Sequence, residues 1–275
     1  MDKNMDSSIL KKIKALPPLD DTIVKIQKIC TDKNSSLSEL VQVVEGDPML
    51  TANILKSSNS PLYGFSREIK NISHAISLFG MATIRGFALS SAIKQNIKID
   101  LTPYNINNAK FLDISVIQSA LMFNWYSKVD RSMLDILVPA SFMMEVGKII
   151  IAHEIIEQNK EDNFLQALRS ITSISELSTL ENETIGFSNE EVTAKIFEQW
   201  NLESELVETI RYSNDPTKAP EHLQTYASAL FAVKSCINIF GVLEDEQIEE
   251  ALAVISRYEL NQEAFLQAVN KVQEK

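Results

Sequence analysis

Few side chains in this chain of 275 residues have the type and spacing to do chemistry. The histidines are His74, His153 and His222, and the cysteines Cys30 and Cys236. No HxxxH, HExxH or adjacent His-Asp pair occurs, and those are the local spacings that bring ligands onto one ion. His153 follows Ile149-Ile150-Ile151 and reads as a packed histidine, while solvated or capping roles suffice for His74 and His222. The cysteines lie among apolar neighbours, far apart and outside any CxxC. Buried free thiols are expected, with no zinc site or disulfide framework. No GxSxG elbow surrounds a serine, and neither cysteine has a histidine nearby to act as base. The closest glycines, Gly80 and Gly86, are six residues apart with no following Gly-Lys, which excludes a P-loop and leaves no GxGxxG. The acidic runs Glu190-Glu191 and Glu244 to Glu250 read as solvated first turns of helices, where the dipole favours carboxylates. No catalytic constellation and no cofactor are expected.

Charge narrows the partners. Lys and Arg number 26 against 37 Asp and Glu, a net charge of −11. Duplex binding needs a basic face to neutralise phosphates. The nearest approach, Lys11, Lys12 and Lys14, is diluted by Asp2 and Asp6 and reads as a solvated first helix. Nucleic acid and anionic membrane are both disfavoured. The amino terminus, MDKNMDSSIL, has no apolar core of signal-peptide length. The longest apolar candidate, Ile136 to Met144, contains Pro139 and falls far short of the roughly 20 residues a span needs. A soluble, cytoplasmic protein without membrane insertion is expected.

The elements that would position any site read as helices. Gly (7) and Pro (8) are few, and Leu, Ile, Ala, Glu and Lys recur at helical spacing. Leu16-Pro17-Pro18-Leu19 is extended, and Asp20 or Asp21 can cap a helix carrying Ile23, Ile26 and Ile29. Ser36 and Glu39 form a capping-box pattern, with Leu37, Leu40, Val41 and Val44 as a core stripe. Gly46 ends that helix, and Asp47-Pro48 begins the next as N-cap and N1, running to about residue 57. Asn59-Ser60-Pro61-Leu62-Tyr63-Gly64 is a turn-rich loop. A short helix through Ile72, Ile76 and Phe79 closes at Gly80, and another runs from Met81 to about Lys94 with Ile84, Leu89 and Ile93 inward. Residues 99–109 form the best internal boundary. Beyond lie a helix at 110–128, a central buried helix at about 133–156, then helices at 162–179, 189–199 and 203–213. Asp215-Pro216 and Pro220 mark a break before helices at 221–240, 245–258 and 262–273, the last capped by Asn261. Trp125 and Trp200 read as core residues. No strand is convincing.

Residues 16 to 93 resemble HDOD domains, the HD-related output domains of bacterial signalling proteins. The resemblance is carried by Pro17 and Pro18, Asp47-Pro48-Met49-Leu50-Thr51-Ala52, Leu55, and Asn59-Ser60-Pro61-Leu62-Tyr63-Gly64. It continues through Ile72, Ala75-Ile76 and Leu78-Phe79-Gly80, in the family's order and spacing. Ala140 to Lys148, ending in Gly147-Lys148, resembles the family's counterpart of the hydrolase LLHDIGKL segment. Gly186-Phe187 with Trp200-Asn201-Leu202 resembles a later one. The resemblance covers residues 9–215 and implies an all-α fold of two packed subdomains, 9–98 and 110–215. The second is similar to the HD hydrolase core, and residues 216–275 form a C-terminal helical extension.

The same resemblance places the consecutive metal-binding His-Asp of HD hydrolases on Met144 and Glu145, an earlier histidine on Gln118 and a later one on Ser213. A thioether is a poor ligand for hard or borderline metals, and Glu145 alone supplies one carboxylate. Met143 and Met144 are expected to fill the former pocket, with Glu145 and Lys148 paired at i and i+3. The resemblance therefore implies a module that is not an enzyme and acts in trans on signalling proteins, through loop 58–70 or the C-terminal extension. Two alternatives stay open here: a residual metal-dependent phosphodiesterase or nucleotide hydrolase, and a sensor holding a small nucleotide in the vestigial cleft.

Overall fold

The computed structural model describes residues 8–32 and 34–274; the readings that rest on Asp2, Asp6 and the first seven residues lie outside them. Among the described residues the backbone is helical, joined by short 3-10 turns and loops, and the one extended pairing is an isolated antiparallel bridge between Ile237 and Val242. The fold is all-α. Side-chain caps explain several of the starts. Asp20 accepts from the amide of Ile23 to open Asp21–Thr31, and Asp47 from that of Leu50 to open Pro48–Ser58, with Pro48 in the first turn. Asn71 and Asn261 do the same for Ile72–Phe79 and Gln262–Gln273. Gly80, at φ 83°, ends Ile72–Phe79 in a conformation that disfavours a β-carbon.

The helices gather into two compact units, each built from separate stretches of chain. The first takes the stretch ending at Pro17, then Ile97–Ser115 and Met144–Leu260; the second takes Pro18–Asn96, Val116–Met143 and the stretch from Asn261. Within 216–275, then, only the final helix Gln262–Gln273 belongs to the second unit.

In the second unit, Met81–Asn96 is the central helix, packed on Asp21–Thr31, Pro48–Ser58, Ile72–Phe79 and Leu134–Met143. A β-carbon on Gly86 would stand 2.8 Å from that of Pro139, so this glycine lets two helices approach closely. Ile23, Ile26, Leu40, Val44, Ile84, Leu89 and Ile93 are buried as expected. Leu37 is not: at the first position of Leu37–Glu45, beside the Ser36 cap, it is 52% exposed and precedes the packed turns. In the first unit, Asn189–Gln199 packs on Gly147–Glu157 and Ser204–Arg211, and Glu221–Cys236 on Asp245–Arg257.

Three long helices expected from apolar runs are shorter or broken. The stretch 133–156 is two helices, Leu134–Met143 and Gly147–Glu157, because side chains of Asn189–Gln199 take the backbone groups between them. The stretch 162–179 is likewise Glu161–Leu168 and Ile174–Ile185, separated where Ser173, in extended conformation, forms a capping box with Glu176. Glu221–Cys236 stops short of 240 because the Asn238 side chain accepts from the amides of Phe240 and Gly241, closing a turn. Among the described residues no single helix is long and apolar enough to cross a membrane.

Candidate functional site

The site begins with Gly147. A β-carbon there would meet the carbonyl oxygen of Asn189 at 2.4 Å, so only glycine allows Gly147–Glu157 to abut Asn189–Gln199. The contact caps the helix from outside. The Gly147 amide donates to Thr193 Oγ1 at 2.9 Å and that of Lys148 to Asn189 Oδ1 at 3.0 Å, while Asn189 Nδ2 donates to the Met144 carbonyl at 2.8 Å. These bonds satisfy amides that a helix start leaves open. They also hold Glu145, in the preceding turn, and Lys148, in the first turn, together in the interior.

Lys148 Nζ pairs with Glu145 Oε2 and stands 3.8 Å from Glu181 Oε1. The Tyr104 hydroxyl donates to Glu181 Oε1 at 2.9 Å, and the Asn189 amide to Glu181 Oε2 at 2.6 Å. The Lys148 ammonium also lies 5.9 Å from the centre of the Tyr104 ring. Beside them Lys234 pairs with Glu190, which accepts from Ser178 Oγ at 3.0 Å. No charged member is more than 4% exposed, so three carboxylates and two ammonium groups share one interior.

Burial sets the protonation. It pulls the Lys148 ammonium down, but Glu145 and Glu181 outweigh it and hold the group above its ordinary range, hence charged. Burial, then the Glu181 carboxylate, pushes the Tyr104 hydroxyl well up, so it remains a neutral donor. Lys234 is lowered to about 8 by burial, with Glu145 and Glu181 pulling against that and Lys148 adding to it. The cavity lined by Glu145, Lys148, Lys234, Asn238 and apolar neighbours measures about 10 Å³, room for about one water and none for a nucleotide. Among the described residues no group of three or more His, Cys, Asp and Glu side chains is placed to share an ion.

The positions singled out in the sequence fall as follows. Met143 and Met144 are buried, and Glu145 and Lys148 pair as anticipated. Ser213 belongs to the same unit as Met144 and Glu145 and is fully buried, its hydroxyl lacking a hydrogen-bond partner among the described residues. Gln118 is buried in the other unit. Glu190, expected on a solvated face, is buried against Lys234; Glu191, which caps Ser188, and the run from Glu244 are more open. Cys236 is buried, but Cys30 is only partly so. His153 is half-buried, and His74 and His222 are exposed.

Tyr104, Glu181 and Lys234 escaped the sequence reading. One signal was present: Lys234 interrupts the apolar run from Ala227 to Cys236, where a charge must find a buried partner.

The signature residues of the second unit serve its architecture. Asn59 clasps Ile69, donating Nδ2 to its carbonyl and accepting its amide, both at 2.8 Å. Ser60 leads into the 3-10 turn Pro61–Tyr63, and Gly64 follows at φ 72°. The Tyr63 hydroxyl donates to Ser119 Oγ at 3.0 Å, and its ring packs edge-on against Phe79 and Phe123. In the first unit the Pro17 carbonyl accepts from Trp200 Nε1 at 3.2 Å.

The sequence pattern of the family described as HDOD domain matches residues 16–216. An uncharacterized protein of Treponema pallidum (strain Nichols) is 21% identical over 260 residues, 94% of this chain; the chain spans 49% of that relative's length. The crystal structure of a virulence factor from Campylobacter jejuni subsp. jejuni is 28% identical, with a TM-score of 0.59 over 97% of this chain and 95% of that one. That of a proposed phosphohydrolase from Shewanella amazonensis SB2B reaches a TM-score of 0.73 at 18% identity, over 98% and 95% of the two chains. The last of these speaks to fold alone.

Proposed function

The chain belongs to the HDOD domain family, and from that membership we propose that it is a non-catalytic regulatory module of bacterial signal transduction, acting by protein–protein contact. One observation carries the non-catalytic part. Where the resemblance aligns the metal-binding pair of HD hydrolases, the chain has a buried thioether and a carboxylate already paired with a buried ammonium. A catalytic divalent ion needs several N or O ligands. Here it would meet Met144, a soft and poor donor, and would be opposed by the charge of Lys148 in the same interior. These residues do not fit such an ion.

Contact with a partner is better supported by the clasped loop. Asn59 fixes its base and Tyr63 anchors it in the core, which leaves Ser66, Arg67, Glu68 and Lys70 exposed on a defined frame. Charged residues on a loop held by rigid elements suit recognition.

The test has two arms. Purified protein is assayed for bound transition metal and for hydrolysis of bis(p-nitrophenyl) phosphate; neither is expected, and stoichiometric metal with turnover overturns the non-catalytic reading. Tagged protein then captures partners from its own host. Arg67→Glu with Lys70→Glu is expected to abolish a stoichiometric partner at unchanged thermal stability, and capture that survives the double change removes the loop from the proposal.

A further inference from the structure

On the first unit, next to the ion-pair cluster and sharing Tyr104 with it, lies a second cavity of about 320 Å³. Its lining includes Leu165, Ile171 and Phe240, together with the almost fully buried Tyr104. At its edge stand two cations, Lys110 and Arg169. None of the residues lining it is acidic, although acidic residues outnumber basic ones by 37 to 26 in the chain. Neither cation forms an ion pair among the described residues. Lys110 Nζ donates to the carbonyl of Ile239, itself part of the wall, at 3.1 Å, which fixes the ammonium at the cavity. Arg169 is exposed, its guanidinium available to a bidentate acceptor. Tyr104 is 1% exposed, its hydroxyl committed to Glu181 and its ring to Phe164 and Lys148, so the half-buried Phe240 is the aromatic side chain of the lining that a ligand can reach.

We infer that this cavity is a binding site for a small organic anion, one acidic group on an aromatic or apolar body. The volume is at the lower end for small-molecule pockets, roughly 300–1,000 Å³. Apolar side chains beside placed polar groups are the usual composition of such sites, and here the polar and cationic groups make up the larger part of the accessible lining. The two cations would hold the phosphate or carboxylate, and Phe240 with Leu165 and Ile171 would pack against the body. A bare inorganic anion would leave the apolar walls without a role, and a cation would be repelled.

Isothermal titration of the whole chain with phenyl phosphate, benzoate and benzyl alcohol tests this. Saturable binding of at least one anion is expected, with the neutral alcohol weaker by tenfold or more; the tighter anion identifies the acidic group. Arg169→Gln and Lys110→Gln, both at exposed side chains, should each weaken binding about fivefold, the effect of losing one partly solvated charge contact. Two-dimensional NMR of the unaltered protein adds a readout that needs no variant: amides of Asn105 and Phe240 should shift on titration. Absence of saturable binding by either anion overturns the site. So does equal binding of the alcohol, unchanged affinity in both variants, or shifts confined to other residues.

Discussion

Lys148 is held between Glu145 and Glu181, 2% exposed, and its charge is what makes the two carboxylates tolerable in the interior. A buried ion pair need not stabilise a fold relative to apolar residues, yet removing one partner strands the other. Lys148→Met should lower the unfolding free energy by about 3–5 kcal/mol, read from urea titration. Adding Glu145→Leu should recover part of that loss, because one stranded charge goes with it. A single variant as stable as the parent would mean that the cluster is already discharged. Cys236 gives a second check at this scale. Burial pushes its thiol up to about 12, so near pH 8 it stays protonated and unreactive. Cys30 is partly exposed, and its thiol donates to the Met81 carbonyl at 3.5 Å. Ellman's reagent near pH 8 should label Cys30 quickly and Cys236 only at the rate of unfolding. The sign follows for stability: the unfolded thiol ionises near 9.0 and the folded one near 12, so the Cys236 contribution is whole below the first value and lost as pH rises toward the second.

At the scale of elements, the helix Ser8–Lys14 is joined to Gly147–Glu157 by charge. Lys12 Nζ lies 2.5 Å from Glu154 and 2.8 Å from Glu157, and Ser8 Oγ donates to Glu154 at 3.1 Å. Burial raises the Glu154 carboxyl, but hydrogen bonds from Lys12 and Gln158, the Lys12 charge and Ser8 outweigh it and hold the group below its ordinary range. The tether is therefore complete above the unfolded value of about 4.5 and is lost as pH falls through the lower folded value. Hydrogen exchange should show amides of residues 9–14 losing protection in acid before those of Asn189–Gln199; simultaneous loss would contradict a local tether. The start of this helix was legible only as a run of lysines, since the nearest carboxylate that answers them is 142 residues away. Local punctuation was legible. Asp47-Pro48, Gly80 and Asn261 act over three or four residues, and the structure uses them as read. The break at Met144 to Val146 was not legible, because its cause is Asn189 and Thr193, distant in sequence. The candidate site divides in the same way: Glu145 with Lys148 is an i,i+3 pair visible in the chain, whereas Glu181, Tyr104 and Lys234 join only through the fold.

The whole molecule is two units threaded by one chain, which passes from one to the other at Pro17, Asn96, Ser115, Met143 and Leu260. The passage at Ser115 falls inside a continuous helix, Asn108–Val129, whose first turns belong to one unit and whose remainder belongs to the other. A helix is cooperative along its length, so unfolding the unit around one part withdraws the packing that supports the next turns. Each unit also carries its own reporter. Trp200, in the first, donates Nε1 to the Pro17 carbonyl. Trp125, in the second, donates Nε1 to the Asn261 carbonyl at 3.0 Å and meets the Phe265 ring at 4.9 Å. In single-tryptophan variants, Trp125→Phe and Trp200→Phe, the two fluorescence transitions in urea should coincide once each is corrected for the stability its own substitution removes. Midpoints that stay apart after that correction, with the Trp125 signal surviving loss of the Trp200 signal or the reverse, would mean that the shared helix can be cut in two thermodynamically. Asn108–Val129 would then be a linker with helical form and no coupling role.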